Sequence, residues 1–269
     1  MSIIKNDFEK MSITKIQKSK NNRKLTMITA YDALFAKLFK NIADMILVGD
    51  SLNMSFAGKA DTLSASLDQM IYHTNAVCNG ASEAFVITDM PFGTYNNKED
   101  ALKNAVKVYS QTNASAIKLE GGEDKAYIIE YLTKNSIAVM GHIGLMPQYV
   151  RSEGGYKVRG KTKEDKEQLI KDALALEDAG VFAIVIEGTM SDVAKEISQK
   201  LKIPTIGIGS GKDTDGQVLV WSDMLGFFED FKPKFVRHYL NGASLVKEAV
   251  NRYKDDVQNS AFPAKEEEY

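Results

Sequence analysis

Short apolar runs of four to six residues alternate with longer stretches in which apolar residues recur three and four positions apart, from about Leu25 to about Trp221. The first period is that of buried strands and the second that of helices packed along one face. The strand-like runs are Met27-Ile28-Thr29-Ala30-Tyr31-Asp32, Met45 to Asp50, Phe85 to Asp89, Ala116 to Glu120, Ile137 to His142, Ala183 to Glu187, Pro204 to Gly209 and Gln217 to Trp221. Between them, Ser66-Leu67-Asp68-Gln69 has the form of a capping box ahead of Met70, Ile71, Thr74, Val77 and Cys78 at helical spacing. Asn97-Lys98-Glu99-Asp100 and Thr162-Lys163-Glu164-Asp165 open two further helices, the second closed by Gly180 in a left-handed cap. Each helix joins two strands, which calls for right-handed crossovers and a parallel sheet. Eight such units predict an α/β protein with a closed (β/α)8 barrel.

The flanks break this rhythm. Met11, Ile13 and Ile16 suggest a short amphipathic helix covering the closed end of the barrel, followed by a basic polar linker from Lys18 to Lys24. After Trp221 the pattern is helical throughout, with Leu225, Phe227 and Phe228, then Phe235, Tyr239 and Leu240, then Leu245, Val246, Ala249, Val250 and Tyr253. That exceeds what one barrel helix needs to bury, and contact between copies is one use for the excess. The expected division is a 1–24 extension with a short helix, a single barrel domain with C-terminal helices over 25–259, and a disordered acidic tail over 260–269.

Composition narrows the function classes. The chain has 269 residues, close to the ~250 that a barrel commonly needs. A formal net charge of -2 offers no general attraction to nucleic acid or to a membrane. Cys78 stands alone, which excludes an internal disulfide framework and a multi-cysteine zinc site and fits a reducing, cytoplasmic setting. No apolar run is long enough to span a bilayer, and residues 1–20 lack the core of a signal peptide.

The candidate chemistry lies where strands end, because parallel barrels gather their reactive side chains at the C-terminal face. Asp50, Asp89 and Glu120 are hard oxygen donors suited to Mg²⁺. Each alone reads better as a helix cap or surface ion pair, but their recurrence in successive units favours a shared site. Lys118 and Glu120 are two apart and point into the lumen together. A buried ammonium needs an anionic partner, either a structural carboxylate or a substrate carboxylate or carbonyl, with a Schiff base as the third option. His142 closes the fifth strand between small neighbours, whereas His73 and His238 read as packing or surface residues. Glu187 ends the sixth strand and suits general acid or base work if partly desolvated. Ser51 offers a hydroxyl to an anion or an N-cap. Gly207-Ile208-Gly209-Ser210-Gly211 matches neither a Walker loop nor a dinucleotide fingerprint.

Several motifs occur in order: Val48-Gly49-Asp50-Ser51-Leu52, Thr88-Asp89-Met90-Pro91-Phe92, Lys118-Leu119-Glu120-Gly121-Gly122, Gly141-His142-Ile143-Gly144-Leu145-Met146-Pro147-Gln148, Gly154-Gly155-Tyr156-Lys157-Val158, and Gly207 to Gly211 through Asp215-Gly216-Gln217. In these, over roughly Leu25 to Tyr253, the chain closely resembles the ketopantoate hydroxymethyltransferase family. The resemblance implies a barrel of the phosphoenolpyruvate mutase and isocitrate lyase type. It also implies transfer of a one-carbon unit from 5,10-methylenetetrahydrofolate to the keto acid 3-methyl-2-oxobutanoate, giving 2-dehydropantoate in pantothenate synthesis. Asp50 and Asp89 would bind Mg²⁺, with Glu120 as a further, water-mediated ligand, and the ion would chelate the keto acid. Ser51 and Lys118 would hold the carboxylate and keto oxygen, His142 would line the site, and Glu187 would accept the proton. Family members form homo-oligomers, often decamers. One departure stands out: the family carries a proline two or three positions after the strand-six glutamate, where this chain has Gly188-Thr189-Met190-Ser191, which predicts a looser aim for Glu187.

Three other readings fit parts of the pattern. They are a metal-dependent lyase relying on a reactive cysteine, a Schiff-base aldolase built on Lys118, and a barrel that binds without catalysis.

Overall fold

The computed structural model describes residues 10–229 and 232–269, and their compact units divide at Val220/Trp221. The first unit is a closed parallel barrel. Its strands are β1 (Leu25–Thr29), β2 (Met45–Val48), β3 (Phe85–Asp89), β4 (Ala116–Glu120), β5 (Val139–Gly144), β6 (Ala183–Glu187), β7 (Thr205–Ile208) and β8 (Gly216–Leu219), joined in chain order with β8 pairing back onto β1. Around it run α1 (Ile13–Lys18), α2 (Ala33–Phe39), α3 (Leu52–Ser55), α4 (Leu67–Gly80), α5 (Lys98–Gln111), α6 (Glu123–Lys134), α7 (Lys163–Asp178) and α8 (Ser191–Lys200).

The expected caps are present. Ser66 and Gln69 form a complete capping box on α4, Asn97 accepts from the Asp100 amide, and Thr162 accepts from the Asp165 amide. Gly180 follows α7 at φ 88°, the left-handed turn that the sequence requires there. Several strand ends differ from expectation. β1 stops at Thr29, so Tyr31 and Asp32 lie beyond it, and Asp32 caps α2 by accepting from Phe35 N at 2.9 Å. β5 runs on to Gly144, because Ile143 and Gly144 still pair with Ile186 and Glu187, leaving His142 two residues short of the end. β8 ends at Leu219, and Trp221 opens a helix instead.

Two cores follow from strand alternation. Outward residues such as Ile117, Leu119, Val139, Ile184 and Ile186 pack against Ala105, Val108, Ile128, Leu132 and Leu176 of the helices. Inward residues, among them Met27, Met45, Leu47, Phe85, Ile87, Met140, Phe182 and Val185, fill the lumen, where the Phe85 and Phe182 rings meet edge to face at 5.7 Å. Ile16 of α1 is fully buried against this inner cluster, with Met11 and Ile13 beside it. The amphipathic helix therefore closes the barrel as its pattern predicts.

The segment after α1 is not the solvated linker its composition suggests. Lys20 donates to Asp215 Oδ2 at 2.7 Å and to the Ser198 carbonyl at 2.5 Å, with both charged side chains more than nine-tenths buried. The same Asp215 oxygen accepts from Thr205 N and Thr205 Oγ1. Lys24 reaches the Thr214 carbonyl.

The second unit, residues 221–269, holds α9 (Trp221–Met224) and α10 (Gly242–Gln258). Trp221 meets Phe227 edge to face at 5.5 Å. Leu245, Val246, Val250, Tyr253 and Val257 of α10 are exposed. Strand pairing ends at Leu219, just before the second unit begins. Residues 260–269, expected to be disordered, include a 3-10 turn over Lys265–Glu267, with Glu267 accepting from the Ala264 amide at 2.8 Å. Among the described residues no helix is long and apolar enough to cross a membrane.

Removing Lys20 strands a buried carboxylate. Lys20→Ala is expected to lower stability in urea unfolding by about 3–5 kcal/mol, whereas Lys18→Ala, at an exposed position, stays within about 0.5 kcal/mol. Equal losses in the two variants would show that the buried pair contributes nothing specific.

Candidate active site

Along the inward face β3, β4, β5 and β6 change character near their C-terminal ends. β3 reads Phe85, Ile87, Asp89; β4 reads Ala116, Lys118, Glu120; β5 reads Met140, His142; β6 reads Ala183, Val185, Glu187. Register sets these side chains next to one another, since Asp89 pairs with Lys118 and Glu120 with His142. Asp50, just past β2, joins them: its amide donates to Asp89 Oδ2 at 3.0 Å. Gly49 keeps this corner thin, because a Cβ there would lie 2.9 Å from Ser51 Oγ. The predicted residues Asp50, Asp89, Lys118, Glu120, His142 and Glu187 thus share one pocket.

Lys118 stands at its centre, with Nζ 2.9 Å from Asp89 Oδ1 and 3.2 Å from His142 Nδ1. Burial opposes its charge, but the Asp89, Glu120 and Asp50 carboxylates more than offset that and hold its pKa above the ordinary lysine range. A Schiff base needs a free amine, which this setting disfavours. Burial, helped by Asp89, pushes Asp50 up to about 7, and burial together with Asp50 raises Glu120 well above the usual range. Glu187 is likewise pushed up to about 7 by burial, although its side chain keeps 21 % exposure toward the mouth. His142 is driven well below its ordinary value by burial and by Lys118, so the ring is neutral. With Lys118 donating to Nδ1, the remaining ring proton sits on Nε2, 3.4 Å from Glu187 Oε2.

The loop after Glu187 is firmly held despite lacking the family's proline. The Glu187 carbonyl accepts from Leu145 N at 2.9 Å and from Thr189 Oγ1 at 2.9 Å, and Gly188 donates to Ile208 O at 2.9 Å. Ser210 Oγ accepts from Thr189 N and donates to Ile186 O. These bonds replace the missing ring constraint, so the expected looseness is not found. They also give the Gly207 to Gly211 segment a use: it presents Ser210 to β6.

Three residues to which the sequence reading gave no role complete the pocket. Gln148, in the 3-10 turn Pro147–Tyr149, donates through Nε2 to Asp50 Oδ2 at 2.8 Å and to Met90 O at 3.0 Å, while its amide donates to Glu120 Oε2 at 3.0 Å. Tyr95 donates its hydroxyl to Gln148 Oε1 at 2.5 Å. Burial and then the Glu120 charge raise the phenol well above its usual pKa, keeping it a donor. Tyr31 Oη lies 2.9 Å from Ser51 Oγ. Ser51 makes no side-chain cap bond to α3, so its hydroxyl serves the pocket wall. His73 bonds the Tyr31 carbonyl at 2.6 Å, the packing role expected of it.

The donor set fits a divalent cation. Each of three carboxylates has one oxygen tied back: Asp50 Oδ2 and Glu120 Oε2 to Gln148, and Asp89 Oδ2 to the Asp50 amide. Asp89 Oδ1 is buried without a well-directed hydrogen bond, although Lys118 Nζ is near. Among the described residues no group of three or more His, Cys, Asp or Glu side chains is placed to hold a metal ion. Mg²⁺ does not need that, because it commonly takes one or two carboxylates and fills its shell with waters and substrate oxygens. Two clefts of about 380 and 200 Å³ adjoin the pocket; both are lined by Phe92, Gln148 and Ser152, the first also by Arg151 and the second by Lys125. Cys78 is buried in α4 with its thiol pushed up to about 11 by burial, which disfavours a cysteine-dependent lyase.

A charged cluster at the C-terminal face of a closed parallel barrel defines a (β/α)8 protein. Its fold is similar to that of a 2,3-dimethylmalate lyase, a member of the phosphoenolpyruvate mutase/isocitrate lyase superfamily, with a TM-score of 0.62, covering 91 % of this chain and 87 % of that one at 16 % identity. Within that fold the chain belongs to the ketopantoate hydroxymethyltransferase family, whose model matches residues 10–265. The 3-methyl-2-oxobutanoate hydroxymethyltransferase of Aliarcobacter butzleri is 78 % identical over the whole of both chains. That of Sulfurimonas denitrificans is 65 % identical, covering 95 % of this chain and 97 % of its own.

Nitrogen spectra of ¹⁵N-histidine protein at pH 6 are expected to show His142 neutral and protonated on Nε2. A doubly protonated ring at that pH would contradict the charge arrangement drawn above.

Proposed function

We propose that the protein transfers a hydroxymethyl group from 5,10-methylenetetrahydrofolate to 3-methyl-2-oxobutanoate, giving 2-dehydropantoate for pantothenate synthesis. The observation that carries this reading is the grouping of Glu187, neutral His142, Lys118 and three half-anchored carboxylates in one pocket. Asp50 and Asp89 would hold Mg²⁺, with Glu120 acting through water. The bound ion would supply positive charge against the negative charge that grows on the keto oxygen.

Lys118 and Ser51 bind the carboxylate and keto oxygen of the keto acid, and Lys118 adds a second positive charge beside the developing enolate. Glu187 removes the proton from C3. Its raised pKa makes it a stronger base than a solvated carboxylate, and the neutral His142 ring lies beside it, Nε2 at 3.4 Å without a directed hydrogen bond. The enolate carbon attacks the methylene carbon of the folate. The donor's carbon–nitrogen bonds to that carbon break, and water supplies the hydroxyl oxygen. Both partners are small molecules, and neither nucleic acid nor membrane enters the reaction. A cytoplasmic homo-oligomer, decameric as in the family, is part of this reading, and the exposed apolar face of α10 supports contact between copies.

Enolisation can be followed apart from transfer. With Mg²⁺ in deuterated water and no folate, the C3 hydrogen should exchange, and chelator should stop it. Glu187→Gln should slow exchange by about 10²–10⁴ while keeping Mg²⁺ binding, whereas Asp89→Ala should lose the ion. Exchange that survives chelation, or equal loss of the ion in both variants, overturns these roles. Because Glu187 works as the ionised base and its pKa is raised to about 7, exchange should be half-maximal near that pH, rise to full above it and decline below it. A rate unchanged down to pH 5 would exclude Glu187 as the base.

A further inference from the structure

Gln148 belongs to neither set of charges, yet it touches both flanks of the pocket. Its side-chain amide is fully satisfied: one Nε2 hydrogen goes to Asp50 Oδ2, the other to the Met90 carbonyl, and Oε1 receives the Tyr95 hydroxyl. Its main-chain N–H holds Glu120 Oε2. Tyr95 Oη in turn lies 3.4 Å from the Glu120 amide, which closes a ring of bonds from β4 through Tyr95 and Gln148 back to Glu120. Asp50 and the Met90 carbonyl, both acceptors, decide which way the amide faces, and the Tyr95 hydroxyl, which accepts from the Glu120 amide, gives its one hydrogen to Oε1 and holds the amide there.

The consequence is geometric. A carboxylate with one oxygen committed to a hydrogen bond presents the other to an ion singly. Ca²⁺ favours six to eight oxygens and often takes carboxylates through both, whereas Mg²⁺ demands a near-octahedral shell of single contacts. We infer that Gln148, steadied by Tyr95, is a positioning residue that holds Asp50 for one-oxygen contact, with Glu120 fixed beside it, and so sets both the affinity of the pocket for a divalent cation and its preference for Mg²⁺ over Ca²⁺. This inference rests on the cation-dependent reading above.

Calorimetric titration of the full-length protein with Mg²⁺ and, separately, with Ca²⁺ tests it without reference to turnover. Gln148→Met should weaken Mg²⁺ binding about 10–100-fold, the range typical of lost outer-shell support. Ca²⁺ binding should weaken less, because Asp50 regains its second oxygen, so the ratio of Ca²⁺ to Mg²⁺ dissociation constants falls. Tyr95→Phe keeps the ring in place and should move both quantities the same way by a smaller factor. In the double variant Tyr95→Phe should add nothing, since it acts through the amide. A lowered melting temperature with both ion affinities and their ratio unchanged would mark Gln148 as merely structural and overturn the inference. If Gln148→Met does not fold, an unchanged ratio in Tyr95→Phe has the same force. Failure of the wild-type protein to bind either ion removes the cation reading and the inference together, whereas wild-type binding with unaltered variants removes the inference alone.

Discussion

The ammonium of Lys118 holds the pocket together. Four acidic side chains crowd the C-terminal face of the barrel, and the single histidine among them is neutral. Without Lys118 the carboxylates would repel one another in a setting with little water to screen them, and each would be driven toward its protonated form. With it, Asp89 is paired directly while Asp50 and Glu120 feel the charge at slightly longer range. The arrangement still carries more negative than positive charge. That imbalance makes the bonds that anchor the carboxylates consequential.

The lumen explains how such a cluster is tolerated. Inward positions of β3, β4, β5 and β6 are apolar or small near the base and turn polar near the mouth. The hydrophobic part supplies the packing that fixes the strands, and the strands deliver the charged atoms to within hydrogen-bonding distance of each other. Stability and chemistry occupy successive layers of one interior, so the cost of desolvating the charged layer is offset by the layer beneath it.

Much of this was legible in the chain because alternation in a strand is a local signal. The two-residue step from Lys118 to Glu120 places both side chains inside before any fold is known, and the helix caps at Ser66, Asn97 and Thr162 are likewise written within four residues. Gln148, Tyr95, Tyr31 and Lys20 were not legible in this way. Their meaning lies in partners far away in the chain: Gln148 meets Asp50 across 98 positions, and Lys20 meets Asp215 across 195. A glutamine in a turn or a lysine in a basic segment carries no period that would set it apart. The placement of Glu187 was missed for a related reason, because bonds of Thr189, just after β6, and of Ser210, just after β7, stand where the sequence lacks a covalent constraint.

The floor made by Ile16 has a bearing on traffic through the barrel. A lumen plugged from below and filled with side chains offers no back exit, so whatever reaches Lys118 must arrive from above and depart by the same doorway. A small acid lying deepest would then be covered by a bulkier donor arriving after it, and departure would have to run in reverse, with the spent donor leaving first.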